Sequence, residues 1–259
     1  GGRSEPGLAT TGTGRRIATW LALPNRARSG RVPVVAALHG WGANASTMWP
    51  VVPPLVAAGF AVLLVDARCH GESDDEAFTS MPRFAEDLAT ALASVRGHPG
   101  IDFGRVALIG HSVGAGAVLL HAARQNDPGS SSAEAPRIRA IVSLSAFAHP
   151  REVMLRLLAQ YRVPYVVLGW YVLRHVQRQI GTTFDAIAPI ETIARVRCPV
   201  LLVHGLEDAT VPYDDALRLR AACGHAEILP ISADHDLRNG LAPYACRLIR
   251  FLRSALEAP

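Results

Sequence analysis

The chain has 259 residues, 49% of them hydrophobic and 19% charged, with a formal net charge of +4. That balance allows a sizeable buried core and excludes a chain disordered throughout. The basic charge is all arginine, since the sequence holds no lysine, and the arginines are scattered without a dense basic run or interleaved aromatics, which argues against a nucleic-acid partner.

In chain order, the residues up to about Gly7 read as a frayed end, and residues 15–23 as a strand set off from residues 8–11 by the turn-like Gly12-Thr13-Gly14. Short, almost wholly apolar runs follow at residues 32–38, 60–65, 105–109, 138–144 and 199–203, with a last one at 226–229. Segments of helical length lie between and after them, at 47–58, 82–96, 114–124, 214–222 and 242–256. Apolar strands alternating with helices predict a parallel sheet covered on both faces, with ligand sites at the carboxyl ends of its strands. The alternation breaks between Ser145 and Cys198, a stretch rich in Leu, Val, Tyr and Trp that carries seven arginines against three acids. It is too long for a simple loop, so residues 149–196 are expected to form a small helical cap inserted into a single domain spanning residues 1–259. Residues 127–136 read as an exposed mobile loop.

The four cysteines, Cys69, Cys198, Cys223 and Cys246, are far apart and show no zinc-type spacing, so no metal site is expected and a reduced, cytoplasmic protein fits. The chain opens Gly1-Gly2 without a Met, which leaves room for a removed targeting segment. The nearest candidate for a membrane span, residues 153–173, is interrupted by Arg156, Gln160, Arg162 and Pro164.

Gly110-His111-Ser112-Val113-Gly114 matches G-x-S-x-G between an apolar run and a helical segment. The chemistry needs glycines there because a serine on a sharp strand-to-helix turn requires the two elements to approach closely. Such a turn also puts the Val113 N–H at a helix start, where it can donate to a developing oxyanion. A serine hydroxyl needs an adjacent base, and His235, in the polar loop after the last apolar run, is the histidine in the expected place. The acid that orients it should end the preceding strand, where Glu207 and Asp208 are adjacent; the spacing to Val211-Pro212 favours Asp208. His39-Gly40-Trp41-Gly42 offers the second oxyanion donor through the Trp41 main chain. In Asp66-Ala67-Arg68-Cys69-His70-Gly71-Glu72-Ser73, an Asp66–Arg68 pair bracing the turn is expected; the other reading sets Arg68 against an anionic substrate group.

Together these residues resemble the α/β-hydrolase superfamily, from His39-Gly40 through Asp66 to Ser73, the serine turn, Cys198 to Gly205 with Asp208 and Val211-Pro212, and His235. The resemblance implies a mainly parallel eight-stranded sheet flanked by helices and no cofactor, with Ser112, Asp208 and His235 as nucleophile, acid and base, and Trp41 and Val113 as oxyanion donors. Cys69 stands where many relatives have glycine. The pattern looks most like bacterial carboxylesterase and peptidase-like branches, whereas relatives with an aspartate nucleophile match poorly at Ser112.

The expected reaction is cleavage of a carboxylic ester through an acyl-enzyme, falling off at acid pH as the base is protonated. Thioester, amide or peptide cleavage, acyl transfer to an alcohol, and ligand reception on the same fold are the alternatives. The expected partner is a small-molecule ester with an apolar acyl or alcohol part. Met154, Leu155, Leu158, Val166, Leu168, Trp170 and Tyr171 either face the cleft or pack the cap, and the arginine-flanked cap is also a candidate for contact with a membrane surface. Oligomeric state is not legible.

Overall fold

A computed structural model describes residues 3–28, 30–127, 135–164, 168–237 and 240–257. Most of the loop expected at 127–136 lies outside the described residues, as does Val166. The strands are β1 (Arg3–Thr10), β2 (Arg16–Leu23), β3 (Val32–Leu38), β4 (Ala61–Val65), β5 (Ile101–His111), β6 (Ile138–Leu144), β7 (Val200–Gly205) and β8 (Glu227–Ile231). They form one sheet in the order β1-β2-β4-β3-β5-β6-β7-β8. Strand β2 runs antiparallel to β1 and β4, and the other neighbours are parallel. This is the mainly parallel eight-stranded sheet expected from the sequence.

Strand side chains alternate between faces, and both faces are buried. Val34, Ala36 and Leu38 of β3 join one core cluster, while Val35 and Ala37 join the other. The first face is covered by α2 (Met81–Ser94), α3 (Val113–Gln125) and α8 (Tyr213–Ala222), and the second by α1 (Val52–Ala57) and α9 (Ala245–Leu256). Burial on both faces explains why the central strands read as unbroken apolar runs.

The frayed end expected up to Gly7 is instead the edge strand β1, paired with β2 from Arg3↔Leu23 to Thr10↔Arg16. Backbone bonds hold it: Gly14, at φ +82°, closes the hairpin by donating to the Thr11 carbonyl at 2.9 Å. Among the described side chains of β1 only Ala9 reaches the core, and Leu8 is exposed, so the strand leaves no alternating pattern to read. Pro6 is tolerated because an edge strand need not donate on its outer side.

Between β6 and β7 lie α4 (Pro150–Gln160), α5 (Trp170–Ile180), α6 (Phe184–Ile187) and α7 (Pro189–Ile193). Leu158 of α4, Leu173 of α5 and Phe184 of α6 form a small cluster of their own, with Met154 and Leu155 against it. Ile187, Ile193 and Val196 join the main core instead. A two-pronged bond between Arg218 of α8 and Glu152 of α4, at 2.7 and 2.8 Å, ties this segment to the sheet domain. Leu168, Trp170 and Tyr171 remain exposed. Among the described residues no helix is long and apolar enough to cross a membrane. All four cysteines are free thiols.

The expected Asp66–Arg68 pair does not form. Asp66 accepts from the N–H groups of Ala45 (2.6 Å) and Glu72 (2.8 Å), while buried Arg68 turns to Asp87 of α2 at 2.6 Å and Glu76 at 2.8 Å. The reason is geometric: the Asp66 carboxylate is occupied by two loop amides, and the wholly buried Asp87 accepts from both the Arg68 main-chain N–H, at 2.8 Å, and its guanidinium. The same contacts leave Arg68 turned away from any substrate anion. Removing one partner of a buried pair strands the other charge. Asp87→Ala is therefore expected to destabilise the protein by about 3 kcal/mol, the low end of the usual range because Glu76 remains; the midpoint of urea unfolding measures it.

Candidate active site

Ser112 stands between β5 and α3 with φ 52° and ψ −114°, a conformation L residues rarely adopt. The glycines around it are sterically required. A Cβ on Gly110 would lie 2.3 Å from the Gly114 carbonyl oxygen, and one on Gly114 would lie 2.3 Å from the His39 carbonyl oxygen. The Ser112 N–H donates to the Leu144 carbonyl at 2.9 Å, which ties the turn to the end of β6.

His235 follows β8 in a loop that approaches this turn. Its Nε2 lies 3.0 Å from Ser112 Oγ and its Nδ1 lies 2.7 Å from Asp208 Oδ2. A carboxylate only accepts, so Nδ1 carries the proton and Nε2 is left to accept from the serine hydroxyl. The other oxygen, Asp208 Oδ1, accepts from the N–H groups of Thr210 (2.9 Å) and Val211 (2.8 Å). Burial favours the neutral form of Asp208, but the His235 imidazole and the Val211 and Thr210 amides outweigh it and hold the pKa below the ordinary carboxylate value. Of the two adjacent acids, Asp208 is buried and reaches His235, whereas Glu207 is exposed. Buried His204 bonds the Val211 carbonyl at 2.8 Å and so braces the turn that carries Asp208.

The loop after β3 passes directly over Ser112: a Cβ on Gly40 would lie 3.3 Å from the serine Cβ. Trp41 is 59% exposed, with its indole stacked on Phe84 at 6.3 Å between centroids. Among the described residues, neither the Trp41 nor the Val113 main-chain N–H has a hydrogen-bond partner, and Val113, as the first residue of α3, has no intrahelical acceptor.

Three histidines that sequence reasoning did not assign to the site hold these loops. Donation from His111 Nε2 to the His235 carbonyl, at 2.8 Å, joins the serine turn to the base loop across 124 residues. His70 accepts from the Gly42 N–H at 3.1 Å and donates to the Arg68 carbonyl at 3.0 Å. His39 donates to the Gly40 carbonyl at 2.7 Å and accepts from the Ala67 N–H at 3.0 Å. The sequence signal for His39 and His70 was their place beside glycines at strand ends; nothing in the sequence pointed to His111 beyond its place in the G-x-S-x-G motif. Cys69 adopts φ +62°, a left-handed conformation that suits glycine, and its sulfur accepts from the Glu76 N–H at 3.2 Å.

His39 is wholly buried. Desolvation pushes its pKa down to about 4, against the opposing pull of the Gly40 carbonyl. In the unfolded chain an imidazole titrates near its ordinary value of about 6.5. Between those values the unfolded state binds more protons, so stability present above about pH 6.5 is lost as pH falls toward about 4, by on the order of 3 kcal/mol from this residue. Unfolding midpoints measured across that window should decline, and more shallowly in His39→Gln; equal slopes would contradict the assignment.

Among the described residues no three His, Cys, Asp or Glu side chains gather as metal ligands. A sequence profile of the alpha/beta hydrolase family matches residues 35–240. The uncharacterized protein YfhR of Salmonella typhimurium is 28% identical over 235 residues, covering 88% of this chain and 73% of its own length. Among solved structures, the esterase Pf2001 of Pyrococcus furiosus superposes with a TM-score of 0.72 at 18% identity, over 98% of this chain and 94% of that one. Est1E of Butyrivibrio proteoclasticus superposes with a TM-score of 0.70 at 15% identity, over 98% and 99% of the two chains. At these identities the two structures speak for the fold alone.

Proposed function

This chain belongs to the alpha/beta hydrolase family, and from that premise we propose that it is a serine hydrolase that cleaves carboxylic esters through an acyl-enzyme on Ser112. The observation that carries this reading is the continuous chain of hydrogen bonds from Ser112 Oγ through the His235 ring to Asp208. It makes the hydroxyl a nucleophile at the moment of attack, because the proton has a waiting acceptor and the resulting imidazolium has a carboxylate beside it.

In the proposed reaction Ser112 Oγ bonds to the ester carbonyl carbon as its proton passes to His235 Nε2. The carbonyl oxygen becomes an oxyanion that accepts from the main-chain N–H groups of Trp41 and Val113. Collapse breaks the bond to the alcohol oxygen, which takes the proton from Nε2 and leaves as an alcohol. Water, deprotonated by the same Nε2, then attacks the acyl carbon; its bond to Ser112 Oγ breaks, the serine oxygen takes the proton back from Nε2, and the acid leaves.

A fluorophosphonate probe tests the reading. It should label the protein at Ser112, located by peptide mass spectrometry, and labelling should stop hydrolysis of a p-nitrophenyl ester. Labelling at another residue, or hydrolysis that survives full labelling, would overturn it.

A further inference from the structure

We propose that the cleft between residues 43–51 and the residues His235, Asp236, Leu237 and Leu241 receives the alcohol part of the ester, and that this part is an apolar chain. The inference rests on the assignment of Ser112 as nucleophile and adds the side of the site on which the leaving group lies.

The cleft encloses about 210 Å³ and is walled by Met48, Val51, Leu144, Leu237 and Leu241, with His111 and His235 at one end. A second hollow of about 290 Å³ shares Pro50, Val51 and Leu241 with it and runs on to Leu248 and Ile249 of α9. The three shared residues set the second hollow beside the first.

Reaction geometry selects the occupant. The proton that leaves Ser112 resides on His235 Nε2, and the same nitrogen must reach the departing alcohol oxygen. The leaving group therefore lies on the His235 side of the attacked carbon. The oxyanion points the other way, toward the amides at residues 41 and 113. A chain attached to the departing oxygen runs out between the loop after β3 and the loop of His235, where this cleft lies. Helix α7 packs against α3 and α8, on the opposite face of the sheet from α1 and α9. The acyl part is placed on that other side.

The lining selects the chemistry. Thr47 already donates its hydroxyl to the Asn44 carbonyl at 2.8 Å, and His111 donates its Nε2 proton to His235. Asp236 brings a carboxylate to the wall. The remaining walls, Met48, Val51, Leu144, Leu237 and Leu241, offer only apolar surface, so the site favours an alkyl or aryl alcohol.

Two ester series decide the matter. In acetate esters of methanol through octanol, kcat/KM should rise about threefold per added methylene until the cleft is full. In methyl esters of acids of the same lengths, the rise should be weaker. Ala43→Phe and Thr47→Phe narrow the cleft and should each lower the hexyl-to-methyl acetate ratio of kcat/KM about tenfold or more, with thermal unfolding confirming that each variant folds. 1-Hexanol should inhibit competitively and lose potency in both. A flat alcohol series, or a ratio that neither folded variant changes, would overturn the proposal while fluorophosphonate labelling of Ser112 still stands. Absence of that labelling would overturn the reading beneath it instead.

Discussion

Ser112→Ala is expected to lower kcat/KM for an activated ester by about 10⁴-fold or more, without loss of the fold. The size follows from the role. In the proposed mechanism, loss of the hydroxyl leaves His235 Nε2 with no serine proton to take and no covalent intermediate, so only transition-state stabilisation by the proposed oxyanion amides and binding remains. The fold should survive because, among the described residues, the Ser112 side chain hydrogen-bonds to His235 alone. Ser112→Gly separates chemistry from strain. At φ 52° and ψ −114° an L residue is held in a conformation that glycine adopts freely. The glycine variant should be as inactive as the alanine variant yet more resistant to unfolding by about 1 kcal/mol. Steady-state kinetics and denaturant titration of both variants check the pair, and an alanine variant with near-normal turnover would remove Ser112 from the mechanism.

Asp208→Asn is expected to cost about 10⁴ in kcat, nearly as much as loss of the nucleophile. The backbone explains why so small a change acts so strongly. Two amides, Thr210 N–H and Val211 N–H, point at Asp208 Oδ1 and need an acceptor. An asparagine side chain must therefore keep its oxygen there and turn its NH₂ toward His235 Nδ1. That group donates, so Nδ1 must accept and the ring proton moves to Nε2. The base then presents a proton to the serine instead of a lone pair. Glu207→Gln should change kcat little, since that side chain is exposed and the ring's Nδ1 is bonded to Asp208. Equal losses in the two variants would mean that charge near the loop, not the bond at 2.7 Å, is what matters.

Where these elements lie was legible in the sequence, because their causes are local. A strand buried on both faces has to be apolar at every position, as β3 is from Val32 to Leu38. A serine on a strained turn has to be flanked by residues without Cβ atoms, as Gly110 and Gly114 are. The order of serine, acid and histidine follows from strand order, and it survives in the chain as spacing. The sequence by itself thus determined the sheet, the turn at Ser112, and the short segments that would hold an acid and a base.

What only the tertiary structure decided are the partnerships across distant segments. The spacing already favoured Asp208 over Glu207, but its bond to His235 exists because the turn after β7 buries one of the two adjacent side chains and exposes the other. Arg68 passes over Asp66 for Asp87 because α2 packs against that loop. His111 bonds to a carbonyl 124 residues away because the ends of β5 and β8 bring their loops to the same edge of the sheet. Strand β1 exists because β2 offers it a ladder of backbone groups, which no side-chain pattern records. In each case the deciding quantity is the direction of a hydrogen-bonding group after the chain has packed, and residue type alone does not carry that direction.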